Sequence, residues 1–398
     1  MLPSRLSKSD CMFSRRTNWQ VSPNRFAQAQ DKFRAAGREL LDLTESNPTR
    51  AGLRYDAQAI LQALLHPKAL EYHPEPKGLL SAREAVAAYY RERDGTAVDP
   101  ANILLTTSTS EAYSFLFRLL CEPGDEVLVP TPSYPLFEFL ADLQDVRLVP
   151  YPLFYDHGWH ADIHSLEKAA SGKSRAVLVV NPNNPTGSYV ASSELQALDR
   201  ICTERELALV ADEVFLDFSL DGSVRTSCIA GRESLAFCLS GLSKISALPQ
   251  MKVAWLAAGG PHRLVVDALA RLEVIADTYL SMNAPVQLAV PELLQQRHAM
   301  QRQLMERIRL NLSELDRQLA RQSAYSRLTV DGGWYAVLRL PVTRPDEDFA
   351  IELLEREAVL VHPGHFYDFP RDGYIVISLI TPHAAFREGV ERMMGLQP

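Results

Sequence analysis

The sequence predicts an α/β protein of two domains, a large domain on a mostly parallel sheet covered by helices and a smaller α+β domain after it. Three observations carry this expectation. The 398 residues exceed what one core encloses, because single hydrophobic cores stop growing at roughly 250 to 300 residues. Between residues 79 and 258 short apolar runs alternate with helical patterns, which argues for helices on both faces of a parallel sheet. Beyond about residue 284 the pattern changes to one long helical stretch followed by two separated strand patterns. The expected division is 1–53 as an N-terminal arm and part of the small domain, 54–284 as the large domain, and 285–398 as the small one.

Taken in order, helical periodicity runs over 24–37 with Gly37 as a stop, and a short apolar run at 40–43 leads to the turn Ser46-Asn47-Pro48-Thr49. Strands of the large sheet are predicted at 102–107, 126–130, 146–150, 175–181, 207–211, 235–240 and 253–258. A long helix is predicted over 285–322, then strands at 334–340 and 374–379 around a helix at 348–357.

Composition excludes several classes of function. With 46% hydrophobic and 23% charged residues the chain is globular. Lys and Arg number 41 against 49 Asp and Glu, a net charge of -8, so neither nucleic acid nor an anionic membrane is an expected partner. No stretch approaches the ~18 apolar residues of a membrane span. Residues 1–20 lack the apolar core of a secretory signal; Arg5, Lys8, Arg15 and Arg16 against Asp10 fit a weak organellar signal or a frayed tail. The five cysteines, Cys11, Cys121, Cys202, Cys228 and Cys238, show no ligand spacing and read as reduced thiols of a cytoplasmic protein. The histidine clusters His157, His160, His164 and His362, His365 lack metal-ligand spacing, so no metal is expected.

Four segments carry chemistry. Asn181-Pro182-Asn183-Asn184-Pro185-Thr186-Gly187 follows a buried strand; prolines cannot continue it, so the chain turns at the carboxyl edge, where ligands of open α/β sheets bind. A plain surface turn is the simpler alternative. The apolar run 207–211 ends in Asp212-Glu213, and a carboxylate there can pair with a protonated ring nitrogen or merely start a helix. Gly241-Leu242-Ser243-Lys244 follows another strand and offers an amine that burial would make nucleophilic. Thr106-Thr107-Ser108-Thr109-Ser110-Glu111 joins a strand to a helix, with Ser108 and Glu111 at capping-box spacing and free N–H groups suited to a phosphate.

In this order the four segments resemble the class I/II aminotransferases of fold type I, the aspartate aminotransferase fold, and Gly241-Leu242-Ser243-Lys244 resembles the alanine and kynurenine aminotransferases. The resemblance implies pyridoxal 5'-phosphate as cofactor, an amino acid or amine as donor and an oxo acid as acceptor. It implies that Lys244 forms the Schiff base, Asp212 holds the pyridine nitrogen, Asn184 donates to the phenolic oxygen and Tyr134 stacks on the ring. Ser108, Thr109, Ser110, Ser243 and Lys252 would surround the phosphate, and Tyr72 would reach the neighbouring subunit's phosphate in a homodimer. Lys244 would also move a proton between the donor carbon and the cofactor. Lyases, decarboxylases, racemases and oxidases share these motifs and stay open, as does a non-catalytic cofactor-binding protein, although no helix-turn-helix segment precedes the arm.

Three positions depart from the family's pattern. Lys252 stands where an arginine is usual, keeping charge without the bidentate fork. Phe215 replaces a tyrosine, leaving Asn184 as the expected donor to the phenolic oxygen. Val376, in Gly373-Tyr374-Ile375-Val376-Ile377-Ser378-Leu379, replaces the arginine that clamps the substrate α-carboxylate. Either Arg50, Arg54, Arg271 or His365 holds that group from a new direction, or the donor lacks it. The relocated clamp is the preferred expectation, with Asn47 and Arg50 on the arm over the substrate.

Overall fold

The computed structural model describes residues 12–19, 21–135, 137–280 and 282–396. Arg5, Lys8, Asp10 and Cys11 of the basic leader lie outside the described residues.

All seven predicted strands of the large domain form, and with a short strand at Trp159–Ala161 they make an eight-stranded sheet. Its spatial order, by first residue, is 103, 254, 236, 208, 174, 126, 147, 159. The strands Arg147–Tyr155, Glu126–Thr131, Ser174–Val180, Ala208–Asp212 and Ala236–Gly241 run parallel. Ala254–Gly259 is antiparallel to both its neighbours and Trp159–Ala161 to Arg147–Tyr155, which makes the sheet mixed at both sides.

Side-chain alternation assigns each strand two buried faces. Val177, Val179, Leu209, Ala211 and Cys238 share one core with the helices Leu80–Asp94 and Ser192–Glu204. Ala176, Leu178, Val210, Phe237 and Leu239 share the other with Thr109–Leu120 and His262–Tyr279. Burial on both faces is why these strands read as unbroken apolar runs.

The smaller domain has a four-stranded antiparallel sheet ordered by first residue 326, 335, 374, 362. Leu41–Asp42 of the arm pairs in parallel with Val359–Leu360, and Phe26 and Phe33 of the helix Arg25–Ala35 enter the same core. The long helix expected at 285–322 is two helices, Ala284–Gln295 and Arg297–Leu319. Ala289, Val290, Leu293 and Leu294 of the first pack in the large core, whereas Met300, Leu304 and Ile308 of the second pack in the small one. The change of core therefore falls between these two helices, some twelve residues beyond the expected boundary at 285.

Candidate active site at the carboxyl edge of the large sheet

Strand register brings the four chemical segments to one edge. Val180, which opens the Asn181–Gly187 turn, pairs with Asp212, and Asp212 pairs with Leu239 on the strand leading to Lys244. Gly241 at the end of that strand lies in line with Ala254 and Thr106 on two further strands, so Ser108, Lys252, Ser243 and Lys244 all emerge at that end. Gly241 has no room for a side chain: a Cβ would sit 2.7 Å from the Val253 carbonyl oxygen. That close approach fixes where the Leu242–Ile245 turn begins.

Burial lowers the Lys244 amine to about 8, with the Asp212 charge pulling the other way. Its Nζ lies 4.9 Å from the Trp334 ring centre and 5.4 Å from that of Phe215. The amine is thus walled by two aromatic faces. Burial raises Asp212 to about 6, opposed by the Val214 N–H at 3.1 Å and the Tyr113 hydroxyl at 3.0 Å, with Glu213 raising it and Lys244 lowering it further. An acid and an amine so displaced toward neutrality are what a proton-transfer site requires.

Within the turn, the three asparagines are not equivalent. Asn181 accepts from the Val190 N–H at 3.0 Å, and Asn183 donates to the Pro132 carbonyl at 3.1 Å and to Thr186 at 3.0 Å. Asn184 keeps a buried amide oxygen with no partner. Buried polar groups are almost always paired, and amide oxygen and nitrogen are interchangeable by rotation, so Asn184 presents a free hydrogen-bonding group. With the desolvated Lys244 and the buried Asp212, it fits a ring bearing an aldehyde, an oxygen and a basic nitrogen.

Ser108 caps the helix Thr109–Leu120, accepting from the Glu111 N–H at 3.1 Å. The Glu111 carboxylate returns to the Thr107 N–H at 2.7 Å rather than to Ser108, so the expected box is shifted by one residue. Ser110 lies in the first turn of that helix, and Ser243 in the turn that carries Lys244. Lys252 is exposed and left-handed, φ 53° and ψ 51°. That conformation costs a non-glycine residue about 1 kcal/mol and is enriched at functional sites. Tyr134 stands edge-on to Phe137, and its phenol is raised to about 12 by burial, with Tyr335 and Asp212 as neighbours.

The residues expected to hold a carboxylate lie on separate elements. Arg271 donates to the Asp267 carbonyl of its own helix at 2.7 Å, and Arg54 meets Gln303 through its backbone. Asn47 caps the short turn Pro48–Arg50 through Thr49, and Arg50 is exposed at its end. His365 is exposed and packs on Phe366. The residues beside Lys244, Asp212 and Tyr134 that sequence reasoning missed are Tyr113, Trp334 and Tyr335. Only Trp334-Tyr335, an aromatic pair after Gly332-Gly333 at the head of a strand, carried a local signal.

Fold and edge chemistry together define an enzyme of the pyridoxal-phosphate fold type I class. A family model for aminotransferase class I and II matches residues 38–392, and the chain belongs to that family. The protein is a pyridoxal-phosphate-dependent aminotransferase. It is similar to the glutamate-pyruvate aminotransferase AlaA of Haemophilus influenzae, 26% identical over 358 residues that cover 86% of this chain and 87% of the relative. An alanine aminotransferase of Mycobacterium tuberculosis is 27% identical over 374 residues, covering 91% and 86%. Among solved structures, an alanine aminotransferase from Pyrococcus furiosus superimposes with a TM-score of 0.85 at 21% identity, covering 93% of this chain and 96% of that one. A Thermus thermophilus aspartate aminotransferase mutant gives 0.84 at 23%, covering 96% and 98%.

Proposed function

We propose that Lys244 carries the cofactor and moves the proton of an aminotransferase half-reaction, in which an amino acid or amine gives up its nitrogen and an oxo acid later receives it. The single observation that supports this most is the aromatic-walled, desolvated Lys244 amine at the same edge as the buried Asp212. When bound, pyridoxal phosphate supplies an aldehyde for amines and a ring that draws electron density from the carbon beside the nitrogen. Lys244, titrating at about 8, is neutral often enough to attack a carbonyl and to accept a proton from the donor carbon. Asp212 keeps a proton on the ring nitrogen, and Tyr113 holds the carboxylate for that task. The Asn184 amide donates to the ring oxygen, with Phe215 beside it contributing no hydrogen bond, and Tyr134 covers the ring face. Ser108, Thr109, Ser110 and Ser243, with the free N–H groups of the helix start and the Lys252 charge, hold the phosphate.

The active form is a homodimer in the cytoplasm. A cleft of about 430 Å³ is lined by Leu70, Tyr72, Leu105, Phe115 and Leu280. Leu70 is 93% and Tyr72 82% exposed, and exposed apolar side chains gathered at one cleft suit an interaction surface. A second copy covers this face, and its Tyr72 reaches the phosphate of the first. The buried thiols of Cys202, Cys228 and Cys238, all pushed upward by burial, suit a reducing compartment.

Reconstitution with pyridoxal phosphate tests the assignment. A visible absorbance band is expected that vanishes in Lys244→Ala and shifts when an amine is added to the intact enzyme. A band unchanged in Lys244→Ala would remove Lys244 from the role.

A further inference from the structure

We propose that the amino donor carries no α-carboxylate and is a primary amine with a neutral or positively charged tail, a diamine foremost, received by Tyr134, Tyr335, Tyr367 and Glu45. This rests on the function proposed above and specifies its substrate.

Val376 lies in the middle of the strand Tyr374–Ser378, paired with Val337 on one side and His362 on the other, and is 1% exposed. The neighbouring imidazole offers no charge in its place. His362 Nδ1 lies 3.0 Å from the Tyr367 hydroxyl, and burial lowers the ring to about 4, so it is neutral near pH 7. Tyr367 and Tyr335 are buried, and Tyr134 is partly exposed. The charges acting on these three phenols are those of Asp212 and Glu45 together with one another, and no guanidinium is among them.

Glu45 is fixed beside the same strand. Its Oε1 accepts the Asn47 N–H at 2.8 Å, and its carbonyl accepts the Ser378 hydroxyl at 2.7 Å. Ser46 hydrogen-bonds Tyr335, the residue paired with Ser378. A carboxylate entering here would lose water, meet the like charge of Glu45 and find no guanidinium among the charges that act on these phenols. Phenols that donate and accept, with one carboxylate nearby, suit an amine or ammonium tail.

The half-reaction balances without a further reagent. The donor's amine and the bound aldehyde exchange nitrogen for oxygen, the donor carbon gives one proton through Lys244, and a primary amine leaves as an aldehyde.

The test uses holoenzyme mixed with 1,4-diaminobutane, butylamine, L-alanine or L-glutamate, following the cofactor absorbance and identifying the oxo product. The amines are expected to react at least about 100-fold faster than either amino acid. Glu45→Gln is expected to lower the rate with diaminobutane about 10-fold relative to butylamine, leaving the resting absorbance unchanged. Val376→Arg is expected to raise reaction with L-alanine. In cofactor-free protein, an unreactive N,N,N',N'-tetramethyl diamine raises Tm and a dicarboxylate does not. Faster reaction with L-alanine or L-glutamate overturns the inference and leaves the aminotransferase reading standing. Reaction with none of the four, while the cofactor stays bound to Lys244, overturns both.

Discussion

In the proposed site, Phe215 and Asp212 would set the chemistry available to the cofactor. A tyrosine at position 215 would donate to the ring oxygen, and phenylalanine offers only its face, 5.3 Å from Trp334 and beside the Lys244 amine. An aromatic face stabilises the cation without competing for its proton. The pH midpoint of the lysine-bound cofactor's absorbance should therefore be high, and Phe215→Tyr should lower it by about one unit, the worth of one hydrogen bond. An unchanged midpoint would separate residue 215 from the ring. For Asp212 the sign is opposite to that of an ordinary surface acid. Its folded value, about 6, lies above its unfolded value of 3.8, so the native state binds the extra proton and loses stability as pH rises through 4 to 6. Urea midpoints of cofactor-free protein should fall across that range, and Asp212→Asn should remove the fall. Bound cofactor, by pairing the carboxylate, should remove it too.

At the scale of elements, the two acids ending the strand Ala208–Asp212 divide into chemistry and structure because successive residues on a strand face opposite ways. Glu213 is buried and accepts the Ser227 hydroxyl at 2.7 Å and the Cys228 N–H at 2.6 Å, with Arg93 close by. Glu213→Gln should cost about 2 kcal/mol in chemical denaturation, since it weakens charge-assisted bonds to a buried group. The cofactor absorbance should not change; a changed spectrum would assign Glu213 to the site. Sequence patterns located the strand edge, the turns and Lys244, because apolar runs ending in Gly, Pro and Asn are local signals. They did not locate Tyr113 or Glu45, whose contacts join residues about a hundred positions apart or more: Tyr113 meets Asp212, and Glu45 meets Ser378. The relocated clamp was expected from the arm residues Asn47 and Arg50; of the other candidates, Arg271 turns back to the Asp267 carbonyl of its own helix. Nor could periodicity see the break at Gln296, where two consecutive helices change cores.

For the whole molecule, the site lies where the large sheet's carboxyl edge meets the small domain. Phe215 and Trp334 belong to the small domain's apolar core, whereas Lys244 follows a strand of the large sheet. Closure of one domain on the other would thus change the walls of the Lys244 amine directly. The proposed dimer adds a second requirement, a partner chain over the cleft around Tyr72. Leu70→Arg, which sets a charge on the exposed face, should convert the dimer to monomer in sedimentation velocity and loosen cofactor retention at least about tenfold. A variant that remains dimeric with unchanged retention would place the interface elsewhere.

Sodium borohydride reduction of the pyridoxal-phosphate-loaded enzyme, followed by proteolysis and mass spectrometry, tests the central assignment most directly. A phosphopyridoxyl group confined to Lys244 is expected, lost in Lys244→Ala. The same group on another lysine, Lys252 included, or no covalent label on the folded protein, would contradict it.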